Sequence, residues 1–522
     1  MSTITLKNTI YKNKLLLDLL DHATKLSPFH NGSSLDMIDD NFLTKRDLHT
    51  EQREILVNAL ISQYDSIGEE TPSGVYQLEK KGVYTVTTGH QLCFMGGPQF
   101  FIHKIISTIK SCQLLKEKYP QYDFIPVFWM ATEDHDFQEI SHTTIFGKNF
   151  LIEDTLDSIA VGRLKSSVFQ SLHEEVKEFF KTDEKFKILE DLFEKAMSFD
   201  SWSNTTRFWV HHLFKDYGLV ILDADDVELK KSFKWAIEAD INEKFVHRHV
   251  KETNQKLLDL HYKVQIDPRE LNLFYHDTSK RVRIKLEDDQ FKIAEANYDK
   301  DSLLNLAKSD IDRFSPNVLL RPLYQEHILP NLAYVGGPSE LAYWLQLKST
   351  FDHVDIAYPI LILRDHFAFM SKKQLQQWTD KGFLKEQLLE DFDLIIKNMV
   401  KEEMNEIADF NPFYQQLDEM EKELSTLVSK QDQSLIGAVG SSINSMKKAL
   451  THTEVKFKKS IKRKNEQHIK QLLKIQKQVI QDNGLTERIE SFISPYINVN
   501  DYIVKILTES DPGKGDLKLI IN

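Results

Sequence analysis

Apolar positions change their spacing along this chain, and each change marks a different kind of structure. Leu15, Leu16, Leu19 and Leu20, then Ile55, Leu56 and Leu60 to Tyr64, recur at helical intervals and predict helices over most of residues 1–80, with SPFHNGSSLD as a loop between them. Short β-rich or near-continuous apolar runs come next, at Val83–Val86, Phe124–Met130, Leu219–Leu222, Leu332–Val335 and Tyr358–Leu363. Helical stretches separate them, which predicts βαβ units and an α/β fold with a parallel sheet.

Beyond Leu363 the strand patterns stop, and residues 372–482 read as almost entirely helical. Phe413, Leu417, Met420, Leu424 and Leu427, then Ile436, Val439, Ile443, Met446, Leu450 and Phe457, fall at near-heptad spacing and predict a coiled coil. It folds back near Gln431–Ser434 or Gly437–Gly440, and Gly484 is expected to end its last helix. The resulting division is an α/β core in three pieces (1–140, 218–229 and 316–371), a mixed segment 141–217, an α+β segment 230–315, the coiled coil 372–484, and a tail 485–522 returning to the core. Within these segments the pattern predicts helices at Val176–Phe193 and Thr206–Lys215 and a hairpin turn at Glu287-Asp288-Asp289.

Composition narrows the class. With 522 residues, 41% hydrophobic and 28% charged, the chain has the balance of a globular protein with several structural units. A formal charge of -13 argues against bulk nucleic-acid binding. The N-terminus lacks the apolar core of a signal peptide, no run reaches transmembrane length, and only two cysteines, Cys93 and Cys112, are present. A cytoplasmic protein with no membrane partner is expected.

Chemistry concentrates at the ends of the predicted strands, where open α/β sheets bind ligands. From Gly82 to Lys104 a strand, a glycine-rich turn (Gly89, Gly96, Gly97) and a helix after Pro98 form a place where backbone N–H groups meet an anion, with His90, Gln91 and Lys104 as donors. A tight connection without a ligand explains the same residues. Gly336-Gly337-Pro338 repeats the pattern, flanked by Arg321, Gln325, Glu326 and Tyr334 before it and Glu340 and Trp344 after it, although such a tryptophan more often serves the core. Arg364 closes the last strand.

The second strand runs into Glu133-Asp134-His135-Asp136, a cluster suited to recognising an ammonium or deprotonating an amine, or else a solvated acidic turn. Adjacent residues do not converge on one ion and neither HExxH nor paired CxxC occurs, so no metal is assigned. Asp223 and Asp225 end another strand, where an acid accepts ribose hydroxyls or simply faces water. Cys93 reads as a small buried hydrophobe, and the basic run Lys456–Lys470 as the outer face of a helix.

TTGHQLCFMGGPQFFIHK, IPVFWMATEDHDFQEISH and RPLYQEHILPNLAYVGGPSELAYWLQLK, then PILILR and a helical C-terminal segment, resemble the bacillithiol biosynthesis cysteine-adding enzyme family over nearly the whole chain. The resemblance implies a Rossmann-like core of nucleotidyltransferase type, with 141–217 and 230–315 as connecting-peptide insertions and a dimerising coiled coil. It implies a ligase that joins the carboxyl of L-cysteine to the amine of glucosaminyl-malate, giving bacillithiol. An activated carboxylate is then needed, with ATP or another nucleotide as activator. His90, Lys104, Glu133, His135 and Asp136 become the expected catalytic residues. Gly89, Gln91, Gly96, Gly97, Arg321, Gln325, Glu326, Tyr334, Gly336, Gly337, Glu340, Trp344 and Arg364 become the expected substrate contacts, with Arg321 and Arg364 for the malate carboxylates and Asp223 and Asp225 for the nucleotide.

Two features depart from a standard adenylating site. His90 stands where class I aminoacyl-tRNA synthetases carry the first histidine of their signature, but the second is missing, and there is no GxxxxGK loop. Met370-Ser371-Lys372-Lys373 is similar to their mobile lysine loop over too short a stretch to carry an argument. A nucleotidyl or nucleotide-sugar transferase on the same fold, or a coiled-coil scaffold, is the alternative reading.

Overall fold

Five parallel strands carry the architecture of the computed structural model, which describes all residues except 1, 8, 154, 155, 157, 182, 278, 279, 408 and 483, and leaves the side chains of 404–407 aside. They are β1 (Val83–His90), β2 (Asp123–Met130), β3 (Val220–Asp223), β4 (Asn331–Gly336) and β5 (Ile360–Leu363), in the order β5–β4–β1–β2–β3. Strand order reverses between β1 and β4, so the crevice beyond their carboxyl ends is the topological switch point of a Rossmann-like sheet. Every residue of β1, β4 and β5 is buried, which is why their sequences run apolar without alternation.

The polar exceptions in those strands are satisfied by one another. Thr85 and Thr87 donate to Asn331 Oδ1 at 3.1 and 2.8 Å, Asn331 Nδ2 donates to Glu326 at 2.7 Å, and Glu326 pairs with Arg46 at 3.0 Å. These bonds offset the cost of burying the groups, with Arg46 Nε and Nη2 left unpartnered among the described residues. Behind the sheet, α1 (Phe100–Lys118) is buried along most of its length and packs on β1, β2 and the late helix Tyr502–Glu509.

Several expectations need correction. β1 runs through Gly89 and His90, so these are strand residues, and the chain turns only afterwards through Phe94–Gly96. Gly96 and Gly97 adopt φ of +76° and +50°, and a Cβ on Gly97 would stand 2.6 Å from that of Cys93; glycine serves the tight turn. The second GGP instead comes directly after β4, and Gly337 caps the helix α2 (Pro338–Trp344). The two motifs are therefore not equivalent. Residues 1–80 also contain a strand, Ser2–Thr5, paired antiparallel with Asp516–Ile521 in a sheet completed by His366–Met370. Strand structure thus continues past residue 363, because a four-residue strand with a partner at the far end of the chain leaves almost no local signal.

In the mixed segment, the helix expected at Val176–Phe193 is two, Gln170–Phe179 and Lys187–Ala196, and Trp202–Phe214 comes after them. In the α+β segment, Leu273–Asp277, Lys280–Arg283 and Phe314–Pro316 make a small sheet; positions 278 and 279, between the first two, lie outside the described residues. The expected hairpin joins Lys285–Glu287 to Gln290–Ile293, with Asp288 and Asp289 at φ +50° and +61°, as a two-residue turn of the primed kind requires.

Residues 1–369 cluster with 485–520 as one unit, so the tail does return to the core. The second unit, 370–484 with 521–522, is helical. Its long helices Asn411–Ser429 and Ile436–Lys464 run antiparallel, with Tyr414 reaching Thr451 and Glu421 reaching Lys447. The reversal occurs at 430–435, while Gly437 and Gly440 lie inside the second helix. Gly484 does not end a helix: the last one stops at Gln476, and Gly484 opens the two-residue strand Gly484–Leu485. Ser371 caps the helix Lys372–Thr379 through a capping box with Gln374, so the synthetase-like tetrapeptide is a helix start.

Candidate active site

At the carboxyl edge of the central sheet lies a cavity of about 830 Å³, within the range of small-molecule sites. Its floor is the switch point. Lys104, projecting from α1, donates to the Gly89 carbonyl at 2.8 Å and pairs with Glu340 Oε2 at 2.6 Å. Glu340 also accepts the Tyr334 hydroxyl at 2.6 Å and the Gly337 N–H at 2.8 Å. Burial would raise this carboxyl's pKa, but Lys104 and the two hydrogen bonds outweigh it and hold the group below the ordinary range. The end of β1 and the end of β4 are thereby tied by one ion pair.

His90 lies beside Lys104 with its ring centroid 5.0 Å from that of Phe100. Its Nδ1 lies 3.1 Å from the Gln91 carbonyl, which fixes the proton on Nδ1 and leaves Nε2 as an acceptor. Burial and the Lys104 charge push its pKa down to about 3, so the ring is neutral at physiological pH.

Three guanidiniums face the cavity, two of them (Arg321 and Arg488) with no ion-pair partner among the described residues and the third, Arg364, paired behind it with Glu487 at 2.7 Å. Arg321 donates to Gln325 Oε1 at 3.0 Å and lies over the rings of Trp129 and Tyr334 at 5.5 and 5.9 Å, with no ion-pair partner among the described residues. Arg364 stacks over Phe100 at 5.0 Å and leaves its buried Nε without a partner there. Arg488, brought in by the tail, lies over the same ring at 5.8 Å. From the α+β segment come Arg269, Arg281 and Arg283, the last two over Phe274 at 4.0 and 4.9 Å. A wall of this kind suits a ligand with several carboxylates or a phosphate.

The acidic cluster after β2 divides in two. Glu133 faces the cavity but is held by Lys230 at 2.7 Å, and Lys230 also pairs with Asp225 at 2.6 Å, which Arg163 clamps through both oxygens at 2.7 and 2.8 Å. Glu133, Asp225 and His276 bring ligand atoms within 4.8 Å of one another, yet the Lys230 ammonium already supplies the positive charge between the two carboxylates. His135 accepts at Nδ1 from Arg281 Nη1 at 3.0 Å, which leaves Nε2–H as a donor. Asp136 points away: it is exposed and caps the short helix Phe137–Ile140. Gln91 donates from Nε2 to both Asp134 (2.8 Å) and Glu139 (2.9 Å) on the cavity wall.

The structure therefore assembles Gly89, His90, Gln91, Lys104, Glu133, His135, Arg321, Tyr334, Gly337, Glu340 and Arg364 around one space. Other candidates fall elsewhere. Gly96 and Gly97 pack against Phe492 and Cys93, and Gly336 is enclosed by Tyr334, Glu340 and Leu341. Glu326 belongs to the buried network under β4, and Gln325 positions Arg321. Trp344 is fully buried against Tyr334, 4.6 Å between centroids, as the core reading of that residue anticipates. Asp223 accepts at Oδ1 from Thr132 at 2.5 Å and from the Asp225 N–H at 2.9 Å, while both oxygens of Asp225 are taken by Arg163 and Lys230.

Sequence reasoning missed Arg281, Arg283, Glu139 and Arg488. The alternation in Arg281-Val282-Arg283 places both arginines on one face of a strand and is a usable signal. Arg488 has none, since only the return of the tail brings it near Phe100.

Two family profiles match the chain: "Bacillithiol biosynthesis BshC, N-terminal Rossmann-like domain" over residues 1–365 and "Bacillithiol biosynthesis BshC, C-terminal coiled-coil domain" over residues 367–521. Among curated proteins, one from Christiangramia forsetii is 35% identical, covering 99% of this chain and 98% of its own length. One from Flavobacterium psychrophilum is 34% identical over 97% and 96%, and one from Flavobacterium johnsoniae 33% over the same shares. Each bears the name "Putative cysteine ligase BshC".

Proposed function

The chain belongs to the bacillithiol biosynthesis BshC family, and on that footing we propose that it is the cysteine-adding ligase, joining the carboxyl of L-cysteine to the amine of glucosaminyl-malate. The observation that carries this reading is the polarity of the cavity wall. Arg321, Arg488 and the unpartnered Nε of Arg364 are placed to receive carboxylates, whereas Asp134 and Glu139 form an acidic patch for an ammonium. An amide-forming enzyme that takes an amino sugar carrying a dicarboxylate needs both.

Lys104 and the Nε of Arg364 would stabilise negative charge developing at the cysteine carboxyl, in a site where burial strengthens each interaction. His135 would donate from Nε2 to a substrate oxygen. Activation calls for ATP or another nucleotide. The Rossmann-like order of the sheet supports one, and of the acids at the end of β3 Asp225 is taken up by Arg163 and Lys230.

We read the protein as a cytoplasmic homodimer. Two buried free thiols suit a reducing compartment, and no helix among the described residues is long and apolar enough to cross a membrane. On the helical unit, Phe413, Met420, Leu427 and Met446 are 53, 42, 63 and 48% exposed, an apolar set that a second copy would cover. The whole reading is tested by the thiol profile of cells lacking the protein. Accumulated glucosaminyl-malate without bacillithiol is the expected result; a normal profile would overturn it.

A further inference from the structure

The family reading leaves open which group removes the proton from the substrate ammonium, and the obvious candidates are occupied. Glu133 is neutralised by Lys230. The Nδ1 lone pair of His135 is taken by Arg281, and burial with the Arg281 charge lowers its basicity further. His90 is too weakly basic, and Asp136 faces away from the cavity.

We propose that Glu139, resting on the ligase reading above, is the catalytic base that takes one proton from the glucosamine ammonium. Its carboxylate lies on the cavity wall and shares the Gln91 amide with Asp134: a single Nε2 donates to Glu139 Oε2 at 2.9 Å and Asp134 Oδ2 at 2.8 Å. Asp134 is further fixed by the His135 N–H at 2.7 Å. Neither carboxylate has a lysine or arginine ion pair among the described residues, so two like charges stand close together with one amide between them. That pair attracts either a proton or a cation. Gln91 is held in the donating orientation, because its Oε1 turned toward two carboxylates would be repelled.

The groups facing Glu139 are few. Asp134 and Asp136 lie on its own segment, Lys104 on α1 and Glu340 on α2, with Gln91 between; the thiol of Cys93 contacts the Glu139 carbonyl at 3.6 Å. Partial withdrawal from water, reinforced by Asp134 and Asp136 and opposed by Lys104, pushes the Glu139 carboxyl up to about 7. A base poised there is half available at physiological pH and matched to an amino-sugar ammonium. The step is a single transfer: the ammonium and the carboxylate become a neutral amine and a carboxylic acid, and no other bond changes.

Binding of the ammonium requires the ionised carboxylate, so binding itself displaces the proton from the molecules that carry one. Calorimetry of the full-length protein with glucosaminyl-malate at pH 7, in two buffers of different ionisation enthalpy, counts that proton. We expect roughly half a proton released per site in the wild type, none in Glu139→Gln, and release shifted to lower pH in Glu139→Asp. Equal release by wild type and Glu139→Gln would overturn the assignment while leaving the substrate reading intact. Failure of the wild type to bind glucosaminyl-malate would remove the substrate reading itself. Should Glu139→Gln not fold, an unshifted release profile in Glu139→Asp is the contradicting result.

Discussion

Arg364, at the end of the fifth strand of the central sheet, holds Glu487 of the C-terminal tail at 2.7 Å, with both side chains 1% exposed. Glu487 accepts at the same time from His103 at 2.7 Å and His366 at 2.6 Å. Burial alone would raise this carboxyl, but Arg364 and the two imidazoles hold it well below the usual range. The tail thus sets the guanidinium that faces the cavity. Glu487→Ala should leave that guanidinium unpaired and cost about 3–5 kcal/mol, read as a fall in thermal or denaturant stability. Glu487→Gln, which keeps the shape, should cost less.

Lys104→Met should abolish most activity. It removes the donor to Gly89 and leaves Glu340 as a buried charge, and losses of about 100-fold or more accompany removal of one such electrostatic contact. Bacillithiol in cells carrying the variant at wild-type protein levels measures it. A near-normal level would show that Lys104 only supports the fold.

Two adjacent glycines should behave differently. A methyl on Gly336 would stand 3.0 Å from the Tyr334 ring and 3.2 Å from Glu340 Cβ, whereas one on Gly337 would meet only Glu340 Oε2, at 3.4 Å, and Arg364 Nε, at 3.9 Å. Gly336→Ala should therefore destabilise, by about 1–3 kcal/mol. Gly337→Ala should fold normally and lose substrate affinity. Melting curves and a binding titration of both variants separate the two effects.

Acid stability should carry the signature of His90. The folded ring takes up its proton only near pH 3, while an unfolded histidine does so near 6.5. Between those values the unfolded chain binds the extra proton, so stability falls as pH drops through the window, by on the order of 1 kcal/mol per pH unit. His90→Gln should flatten that slope, measurable as a smaller change in melting temperature between pH 6.5 and 4.

Asp225→Asn should weaken the fold without weakening ligand binding. Asp225 is held by Arg163 and Lys230, and losing its charge leaves the buried Lys230 with Glu133 as its one counter-ion among the described residues. If Asp225 instead held a nucleotide ribose, nucleotide binding would be lost at unchanged stability.

The sheet is legible in the sequence because its strands are buried on both faces and so read as continuous apolar runs; Phe124–Met130 needs no context to be seen. The site residues at strand ends are legible for the same reason, since Gly89, Glu133 and Arg364 sit where such runs stop. Residues whose role depends on contacts distant in the chain are not. Glu326 resembles a ligand contact because nothing local reveals Arg46 beneath it, and Asp225 does so because Lys230 and Arg163 converge on it only in the fold. Arg488 lacks any signal, as its neighbour Phe100 lies on the other side of the coiled-coil segment in sequence.

Whether this cavity joins cysteine to glucosaminyl-malate is decided by mass spectrometry of bacillithiol and glucosaminyl-malate in cells whose own copy is deleted and replaced by wild type or Arg364→Ala at equal protein level. Wild type should restore bacillithiol, and the variant should leave glucosaminyl-malate accumulated with little bacillithiol. Full restoration by Arg364→Ala would contradict the assignment of this cavity to the reaction.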